Sequence, residues 1–110
     1  MKLKAKNNSP YFIYILLCAN GAYYTGITND VEKRFHAHRA KKGAKFTKAF
    51  FPLRIKAAWK ISGGRSEAQK VEHYIRKKGR QFKETIIAHP PSLGKFVRKD
   101  LSIRLQPARV

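Results

Sequence analysis

An unbroken apolar segment near the start of the chain constrains the fold more than any other feature. Residues 11–18 read YFIYILLC, a run of aromatic and aliphatic side chains with two β-branched isoleucines. The run ends at Ala19, so it is too short to span a bilayer, and its composition predicts a buried β-strand. The Asn20–Gly21 pair then favours a hairpin turn, with residues 22–28 as the returning antiparallel strand.

The length of that turn decides whether Tyr14 and Tyr24 share a face of the sheet. A three-residue turn pairs Tyr24 with Leu16 and puts both tyrosines on the same face. A two-residue turn pairs Tyr24 with Leu17 and puts them on opposite faces. Three-residue turns often end with a glycine in the left-handed conformation, which Gly21 can adopt. Both alternatives remain open on the sequence alone.

The rest of the chain alternates between helical patterns and one further strand. The predicted elements are a helix over 30–41, a loop over 42–52, a third strand over 53–61, a helix over 66–78 and a shorter helix over 80–88. Beyond the two consecutive prolines, scattered apolar residues give no assignment. We therefore divide the chain into a basic lead-in (1–10), one folded domain (11–89) and a basic C-terminal extension of unknown structure (90–110).

Capping residues fix the predicted helix ends. Asn29 or Asp30 is expected to be the N-cap of the first helix, since both side chains can accept from exposed backbone N–H groups. Ser66, with Gln69 three residues later, forms a capping-box signature at the start of the second helix. Gly79 is expected to end that helix.

The chain is strongly basic, with 25 lysines and arginines against 6 acids and a formal net charge of +19. Because 43% of its 110 residues are hydrophobic, it can still form one folded core. Such a charge favours a phosphate-rich partner. The basic residues are spread along the chain and border no single apolar stripe, which argues against a membrane partner. Cys18, the single cysteine, forms no intramolecular disulfide and is expected to be buried, so we expect a reducing, cytoplasmic location.

Two side chains of the first predicted helix are candidates for phosphate chemistry. Arg34 and His38 are one helical turn apart and border the apolar stripe formed by Val31 and Phe35. That stripe must face the sheet, which places a guanidinium and an imidazole near the strand tyrosines. An arginine there suits capture of a phosphate and neutralisation of charge in the transition state. A solvated basic face explains the same spacing equally well.

Glu72 is the acid whose position most needs an explanation. The second predicted helix buries Ala68, Val71 and Ile75, and Glu72 falls at the edge of that buried side. A carboxylate so close to a core must be paired with a cation or bound to a metal. A single glutamate satisfies Mg²⁺, which needs only one or two protein carboxylates. One cysteine and four dispersed histidines offer no spacing suited to zinc.

Three segments together resemble a known nuclease family. YFIYILLCANGAYYTG, TNDVEKRFHAH and AQKVEHYIRK follow the order and spacing of the GIY-YIG nuclease superfamily over about residues 11–85. The resemblance is closest to its small stand-alone, single-domain members (the YhbQ-like group), which carry a segment similar to Gly43–Thr47. It implies an α/β fold with a small three-stranded antiparallel sheet flanked by helices.

The resemblance assigns a catalytic role to five side chains. Tyr14 matches the tyrosine of the first family motif, and Tyr24 matches that of the second. Arg34 matches the helix arginine, and His38 the aromatic residue or histidine one turn later. Glu72 matches the metal-binding glutamate, so the implied cofactor is Mg²⁺ or Mn²⁺. We expect Tyr24 to activate the attacking water, although Tyr14 can exchange roles with it.

Three positions depart from the family pattern. Phe12 stands where glycine is usual and Thr25 where isoleucine is usual, but neither change affects a reacting group. Ile27 stands where the excision-repair branch of the family has a lysine. The cation that this lysine provides is therefore missing, or it is supplied by His38 or Lys45.

The sequence thus predicts a metal-dependent endonuclease that hydrolyses DNA phosphodiester bonds in repair or processing. The preference among branched, damaged and single-stranded DNA is left open, RNA is an alternative partner, and no oligomeric state is indicated. Five further cations are expected to bind the nucleic acid, namely Lys33, Arg39, Lys42, Lys45 and Lys48.

Two other functions are consistent with the same residues. In the first, the pocket only grips backbone phosphates, and the protein is a catalytically silent nucleic-acid-binding module. In the second, the protein is a basic accessory of a ribonucleoprotein, and Trp59 stacks on bases together with surface aromatic residues. DNA nicking that requires a metal and is lost in Glu72→Ala distinguishes the enzyme from both.

Overall fold

Four strands and five helices make up the part of the chain that the structure describes, which is residues 10–109 of a computed structural model. The strands are β1 (Tyr11–Cys18), β2 (Tyr23–Thr28), β3 (Pro52–Ser62) and β4 (Arg104–Pro107). The helices are α1 (Val31–Arg39), α2 (Lys45–Ala49), α3 (Arg65–Lys78), α4 (Arg80–Ala88) and α5 (Pro91–Leu101). None of these helices is long and apolar enough to cross a membrane. Apart from Pro10, the predicted basic lead-in lies outside the described residues.

A three-residue turn joins β1 to β2. The Cys18 amide donates to the Ala22 carbonyl oxygen at 2.9 Å, and Gly21 adopts a φ of 84°, in the left-handed region that favours glycine. Leu16 is consequently the partner of Tyr24 in the ladder. Of the two turn lengths that the sequence allowed, the structure has the one that puts Tyr14 and Tyr24 on the same face.

The sheet has four antiparallel strands in the order β2-β1-β3-β4. The α/β class and the antiparallel arrangement are as predicted, but the expected number of three strands was wrong. The fourth strand comes from the segment after residue 90, which the sequence left without an assignment. There α5 returns the chain to the sheet, and Leu105 of β4 pairs with Ile61 of β3.

The two faces of the sheet pack against different helices. On one face, Ile13 and Ile15 lie in a core with buried residues of α3, α4 and α5. On the other face, Tyr14 and Leu16 pack against Val31 of α1. Alternation along β1 produces this division, since successive side chains of a strand point to opposite faces. The buried thiol of Cys18 is free.

Trp59 of β3 is completely buried in the larger core. Its indole Nε1 donates to the Pro90 carbonyl oxygen at 2.8 Å, which ties the central sheet to the start of α5. A side chain without exposed surface cannot stack on the bases of an RNA partner. The hypothesis that Trp59 provides a base-stacking surface was therefore wrong.

Two local predictions also differ from the structure. The predicted loop over 42–52 contains the short helix α2, and Pro52 is already the first residue of β3. The N-cap of α3 is Gly64, not Ser66, and the Glu67 carboxylate accepts from the Gly64 amide at 2.9 Å. Glutamate at this third helical position satisfies a backbone donor that Gln69 is too far along the helix to reach.

Candidate active site

Tyr14 and His38 form a buried pair where α1 packs on the sheet. The Tyr14 hydroxyl lies 2.8 Å from Nε2 of His38, and the two side chains are 1% and 0% exposed. Val31 and Phe35 hold α1 on this face, as the apolar stripe of the sequence predicted. The imidazole therefore points into the sheet instead of lying on a solvated basic surface.

Thr47 of α2 completes the hydrogen bonding of the imidazole. Its Oγ1 lies 2.7 Å from Nδ1 of His38 and donates to the Ala44 carbonyl oxygen at 2.9 Å. Because this hydroxyl proton is already used, Oγ1 accepts from Nδ1–H, and Nε2 accepts from the Tyr14 hydroxyl. In this tautomer Nδ1 carries a proton, so the Ala44 amide, 3.4 Å away, does not donate to it. Nothing in the sequence beyond the Gly43–Thr47 segment indicated Thr47.

The rings of Tyr14 and His38 occupy space that is available only because two neighbouring residues are glycines. A Cβ atom on Gly26 would overlap the hydroxyl oxygen of Tyr14, and one on Gly43 would overlap Nδ1 of His38. Any larger residue at either position must displace a buried ring. The glycine of the second motif and the glycine that precedes α2 thus shape the Tyr14–His38 pair.

Tyr24 lies beside this pair and is partly exposed. Its ring centroid is 6.3 Å from that of Tyr14 and 5.2 Å from that of His38. Phe46 of α2 stacks on it at 6.0 Å with an interplanar angle of 20°. From α3, the Arg76 guanidinium lies 5.7 Å from the centroid of the Tyr24 ring. The Tyr24 ring is therefore packed against the Phe46 ring and lies close to the Arg76 guanidinium.

Glu72 and Arg76 of α3 meet β2, an edge strand of the sheet. Nη2 of Arg76 donates to the Thr25 carbonyl oxygen at 3.1 Å and lies 3.6 Å from Oε2 of Glu72. The Glu72 side chain is 21% exposed, so its carboxylate remains accessible to solvent. A salt bridge of this kind is one of the two explanations that the sequence allowed for an acid near the core, the other being a bound metal. The salt bridge is present here, one helical turn along α3.

Burial fixes the protonation states of the Tyr14–His38 pair. It raises the pKa of Tyr14 far above the usual range of a phenol, and the positive charge of Arg34 opposes the rise only in part. Burial, reinforced by the same Arg34 charge, lowers the pKa of His38 from 6.5 to about 4. Near neutral pH the pair is therefore a neutral phenol and a neutral imidazole.

The pKa of Tyr24 is raised overall, although its neighbours act on it in opposite directions. Burial raises its pKa, and the charges of Arg76 and Arg34 oppose that rise, while the Glu72 carboxylate adds to it. The same carboxylate also raises the pKa of Tyr14. The structure thus brings Arg34 and Glu72 within electrostatic reach of both phenols, although they lie on helices that pack on different faces.

Arg76 is the cation beside Tyr24. His38 does not supply the charge that the family lysine would provide at position 27, because its pKa lies far below neutral pH. Lys45 is exposed at the start of α2. Arg76 was not among the candidate residues of the sequence, and the only signal for it was its position four residues after Glu72 on a helix.

A cavity of about 340 Å³ opens at the edge of β2 beside Tyr24. Its lining residues are Tyr23, Tyr24, Thr25, Phe46, Arg76 and Lys83. Tyr23 and Tyr24 are successive strand residues that point to opposite faces, so the cavity joins the two faces around the sheet edge. Because two cations and no acid line it, the cavity suits a phosphate group next to the phenol of Tyr24.

The acids of this region fit a hard divalent ion and do not fit zinc. Within residues 10–109, no group of three or more His, Cys, Asp or Glu side chains is arranged to hold a metal. Mg²⁺ or Mn²⁺ can use one accessible carboxylate and take its other ligands from water and phosphate. Glu72 is a carboxylate of that kind.

The predicted nucleic-acid-binding cations have different surroundings. Four of them are exposed and form no salt bridge within the described part of the chain, namely Lys33, Lys42, Lys45 and Lys48. Arg39 is exposed, but its guanidinium lies 4.6 Å from the centroid of the Phe51 ring and donates to the Pro52 carbonyl oxygen at 3.4 Å. Arg39 therefore has contacts within the fold that the four lysines lack.

Most of the chain matches a known protein family. Residues 10–85 match the model of the GIY-YIG catalytic domain. The matched range includes the strand hairpin, the three helices of the cluster and all five predicted catalytic side chains. The chain therefore belongs to the GIY-YIG family, which confirms the resemblance seen in the sequence.

Within that family the chain is similar to small proteins named UPF0213. One from Vibrio cholerae is 38% identical over 88 residues, which are 80% of this chain and 87% of the relative. One from Bacillus licheniformis is 43% identical over 82 residues, or 74% of this chain and 82% of the relative. The solution NMR structure of a UPF0213 protein from Bacillus halodurans has a TM-score of 0.46 and 35% identity, covering 72% of this chain and 83% of that one.

Proposed function

We propose that this protein is an endonuclease that hydrolyses phosphodiester bonds in DNA with the help of Mg²⁺ or Mn²⁺. The observation that supports this most is that Tyr24 lies beside the Tyr14–His38 pair and within electrostatic reach of Arg34, Arg76 and Glu72. The family to which the chain belongs acts on nucleic acids, generally with divalent metals. The net charge of +19 suits the same polyanion.

Tyr24 is the better of the two tyrosines for the general base. Tyr14 is 1% exposed, its proton is donated to His38 and burial raises its pKa, so it does not ionise easily and is a poor base. Tyr24 is partly exposed, lines the cavity, and has two arginines that favour its phenolate form. A base must be accessible to the attacking water, and because burial leaves the pKa of Tyr24 raised overall, its phenolate form needs the two arginines and further stabilisation in the complex.

Tyr14 has a positioning role in this mechanism. Because its hydroxyl proton is donated to Nε2 of His38 in a hydrogen bond, its oxygen can act only as an acceptor on the side of the cleft. It is therefore suited to accept from the attacking water and hold it beside Tyr24. His38, fixed by Thr47, keeps the Tyr14 hydroxyl turned in this direction.

The charged residues act on the phosphate. Arg34 stabilises the negative charge that builds up on the phosphate oxygens during attack. Glu72 is the residue that would hold the metal ion, and Arg76 restrains its carboxylate through their salt bridge. When bound, Mg²⁺ or Mn²⁺ supplies Lewis-acid stabilisation of the phosphate and of the leaving oxygen.

Nicking of supercoiled plasmid DNA with Mg²⁺ or Mn²⁺ tests this function. We expect nicking by the wild type that is lost with chelator and lost in Glu72→Ala. Glu84→Ala is the matched control, because Glu84 also forms a salt bridge with an arginine four residues away, Arg80, at 3.1 Å, but lies on α4. Equal nicking by wild type and Glu72→Ala contradicts the mechanism. DNA binding without nicking, across several metals and DNA forms, indicates a silent binding module instead.

A further inference from the structure

A basic groove lies at the sheet edge opposite to the candidate active site. It runs between α5 and the strands β3 and β4 and has a volume of about 470 Å³. Four of its lining residues are exposed cations, contributed by three different elements, and no acid lines it: Lys60, Lys95, Arg98 and Arg104. None of these residues was a binding candidate in the sequence.

The groove depends on how closely α5 approaches the edge strand. Pro91, Gly94, Lys95 and Arg98 follow helical spacing and lie on one side of α5. A Cβ atom on Gly94 would come within 3.3 Å of the Leu105 carbonyl oxygen, so the helix backbone sits close to β4 at this point. The two cations of the helix are thus held beside the strand, on an ordered element.

The strands supply the other two cations. Ile61 pairs with Leu105, and both belong to or pack against the larger core. Their neighbours Lys60 and Arg104 alternate with them and are exposed. Both residues line the groove on its strand side, although alternation directs their side chains toward the sheet face that α5 does not cover.

The four cations of the groove are not neutralised by the protein. Within residues 10–109, none of them takes part in a salt bridge or a side-chain hydrogen bond. The one acid of α5, Asp100, accepts a hydrogen bond from the Tyr74 hydroxyl instead. Like charges that converge on a concave surface repel one another and concentrate a positive potential there, and a bound anion relieves that repulsion.

We propose that this groove is a second binding site for the phosphate backbone of the nucleic acid. The proposal rests on the proposed function in so far as the same molecule occupies the candidate active site. Strands β2 and β4 are three inter-strand spacings apart, or about 14 Å. One nucleic-acid strand advances about 3.4 Å per nucleotide, so a backbone that continues on the order of four or more nucleotides past the cleft reaches the groove.

The groove also lies mostly outside the catalytic-domain match. That match ends at residue 85, whereas α5 and β4 begin at Pro91 and Arg104. The C-terminal part of the chain therefore adds a basic surface beyond the residues that match the catalytic domain. Its effect should be on affinity, with the chemical step unchanged.

DNA binding by matched charge variants tests this site. The groove variants are Lys95→Gln/Arg98→Gln and, from the strand side, Lys60→Gln/Arg104→Gln. The control is Lys70→Gln/Lys77→Gln, which removes two exposed cations of α3 and gives the same net charge. All are made in the Glu72→Ala background, so that no cleavage occurs, and are titrated with a 30-base-pair DNA at several salt concentrations.

We expect each groove variant to bind on the order of tenfold more weakly at about 0.1 M salt and to reduce the slope of log K against log salt by about two. The control should change affinity by about twofold at most. Equal losses in groove and control variants overturn the proposal, as does a groove variant that loses binding to anionic vesicles but keeps its affinity for DNA. If the groove variants weaken DNA binding as expected but the wild type never nicks plasmid DNA, the proposed nuclease function is contradicted and the groove remains a nucleic-acid-binding site.

Discussion

The hydroxyl of Tyr14 donates to Nε2 of His38 at 2.8 Å, and this hydrogen bond joins strand β1 to helix α1 next to Tyr24. Both groups are buried and uncharged near neutral pH. A phenol in this state has no proton to offer to the cleft, whereas its neighbour Tyr24 is partly exposed and has two arginines nearby that favour its phenolate form. The difference between two chemically identical side chains thus comes from their partners.

Stability should fall in weak acid because of His38. Its pKa is about 4 in the folded protein and 6.5 when unfolded, so between these values the unfolded chain binds more protons. The stabilisation is fully present above pH 6.5 and is lost as the pH falls toward 4, by about 3 kcal/mol at most. Urea unfolding of wild type and His38→Gln between pH 7.5 and 4.5 measures it. An unchanged pH slope in the variant excludes His38 as the source.

Replacing Thr47 should destabilise the protein and reduce nicking through the loss of its hydrogen bond to His38. Thr47→Val keeps the shape but removes the acceptor of the His38 Nδ1 proton, leaving a buried donor unpaired. We expect a loss of about 1–3 kcal/mol in the free energy of unfolding and reduced nicking. Thr47→Ser keeps the hydroxyl and should recover most of the activity. Equal activity of the Val and Ser variants would show that the hydroxyl does not matter.

Adding one methyl group at Gly26 should displace the Tyr14 ring. The new Cβ would overlap the Tyr14 hydroxyl, and overpacking of this kind costs about 1–3 kcal/mol. Gly64→Ala is the control, since its Cβ would meet its nearest neighbour at an ordinary 3.8 Å. Urea midpoints and plasmid nicking should both drop in Gly26→Ala, whereas Gly64→Ala should leave nicking unchanged and lower the midpoint only by the effect of alanine at the N-cap of α3. A fully active Gly26→Ala would mean that the position of the phenol is not critical.

Removing the charge of Arg76 should shift the pH dependence of nicking. This charge lowers the pKa of Tyr24, so Arg76→Gln should raise that pKa and move the rising limb of the pH–rate profile to higher pH. At a fixed pH below that limb, activity should fall about tenfold for each unit of the shift. Lys77→Gln, which changes the next residue of the same helix, should leave the profile in place. A lower rate with an unshifted profile argues against Tyr24 as the base.

The elements that carry the candidate site were predicted from patterns among residues that are close together in the sequence. The apolar run of β1, the Asn20–Gly21 turn and the helical spacing of Arg34 and His38 depend on neighbours in the sequence, and each was read from it. The position of Glu72 at the edge of a buried helix face was read in the same way. The family match then supports the resemblance that these segments carry together.

Elements that depend on distant partners were not predictable. The five residues of α2 are too few to show helical periodicity, so Phe46 and Thr47 were not expected beside the tyrosines. The four residues of β4 include one core-facing side chain, Leu105, and form a strand only because β3 offers a free edge. Arg76 reaches Tyr24 only through the packing of α3 against β2.

The hydrogen bond from Trp59 to the Pro90 carbonyl oxygen gives the protein a built-in optical reporter. Since the chain has a single tryptophan, fluorescence excited at wavelengths that tyrosine does not absorb arises from one buried indole in contact with the start of the last helix. Undocking of the C-terminal segment would admit water to this ring and shift its emission to longer wavelengths. The attachment of the region that forms the basic groove can thus be followed without a label.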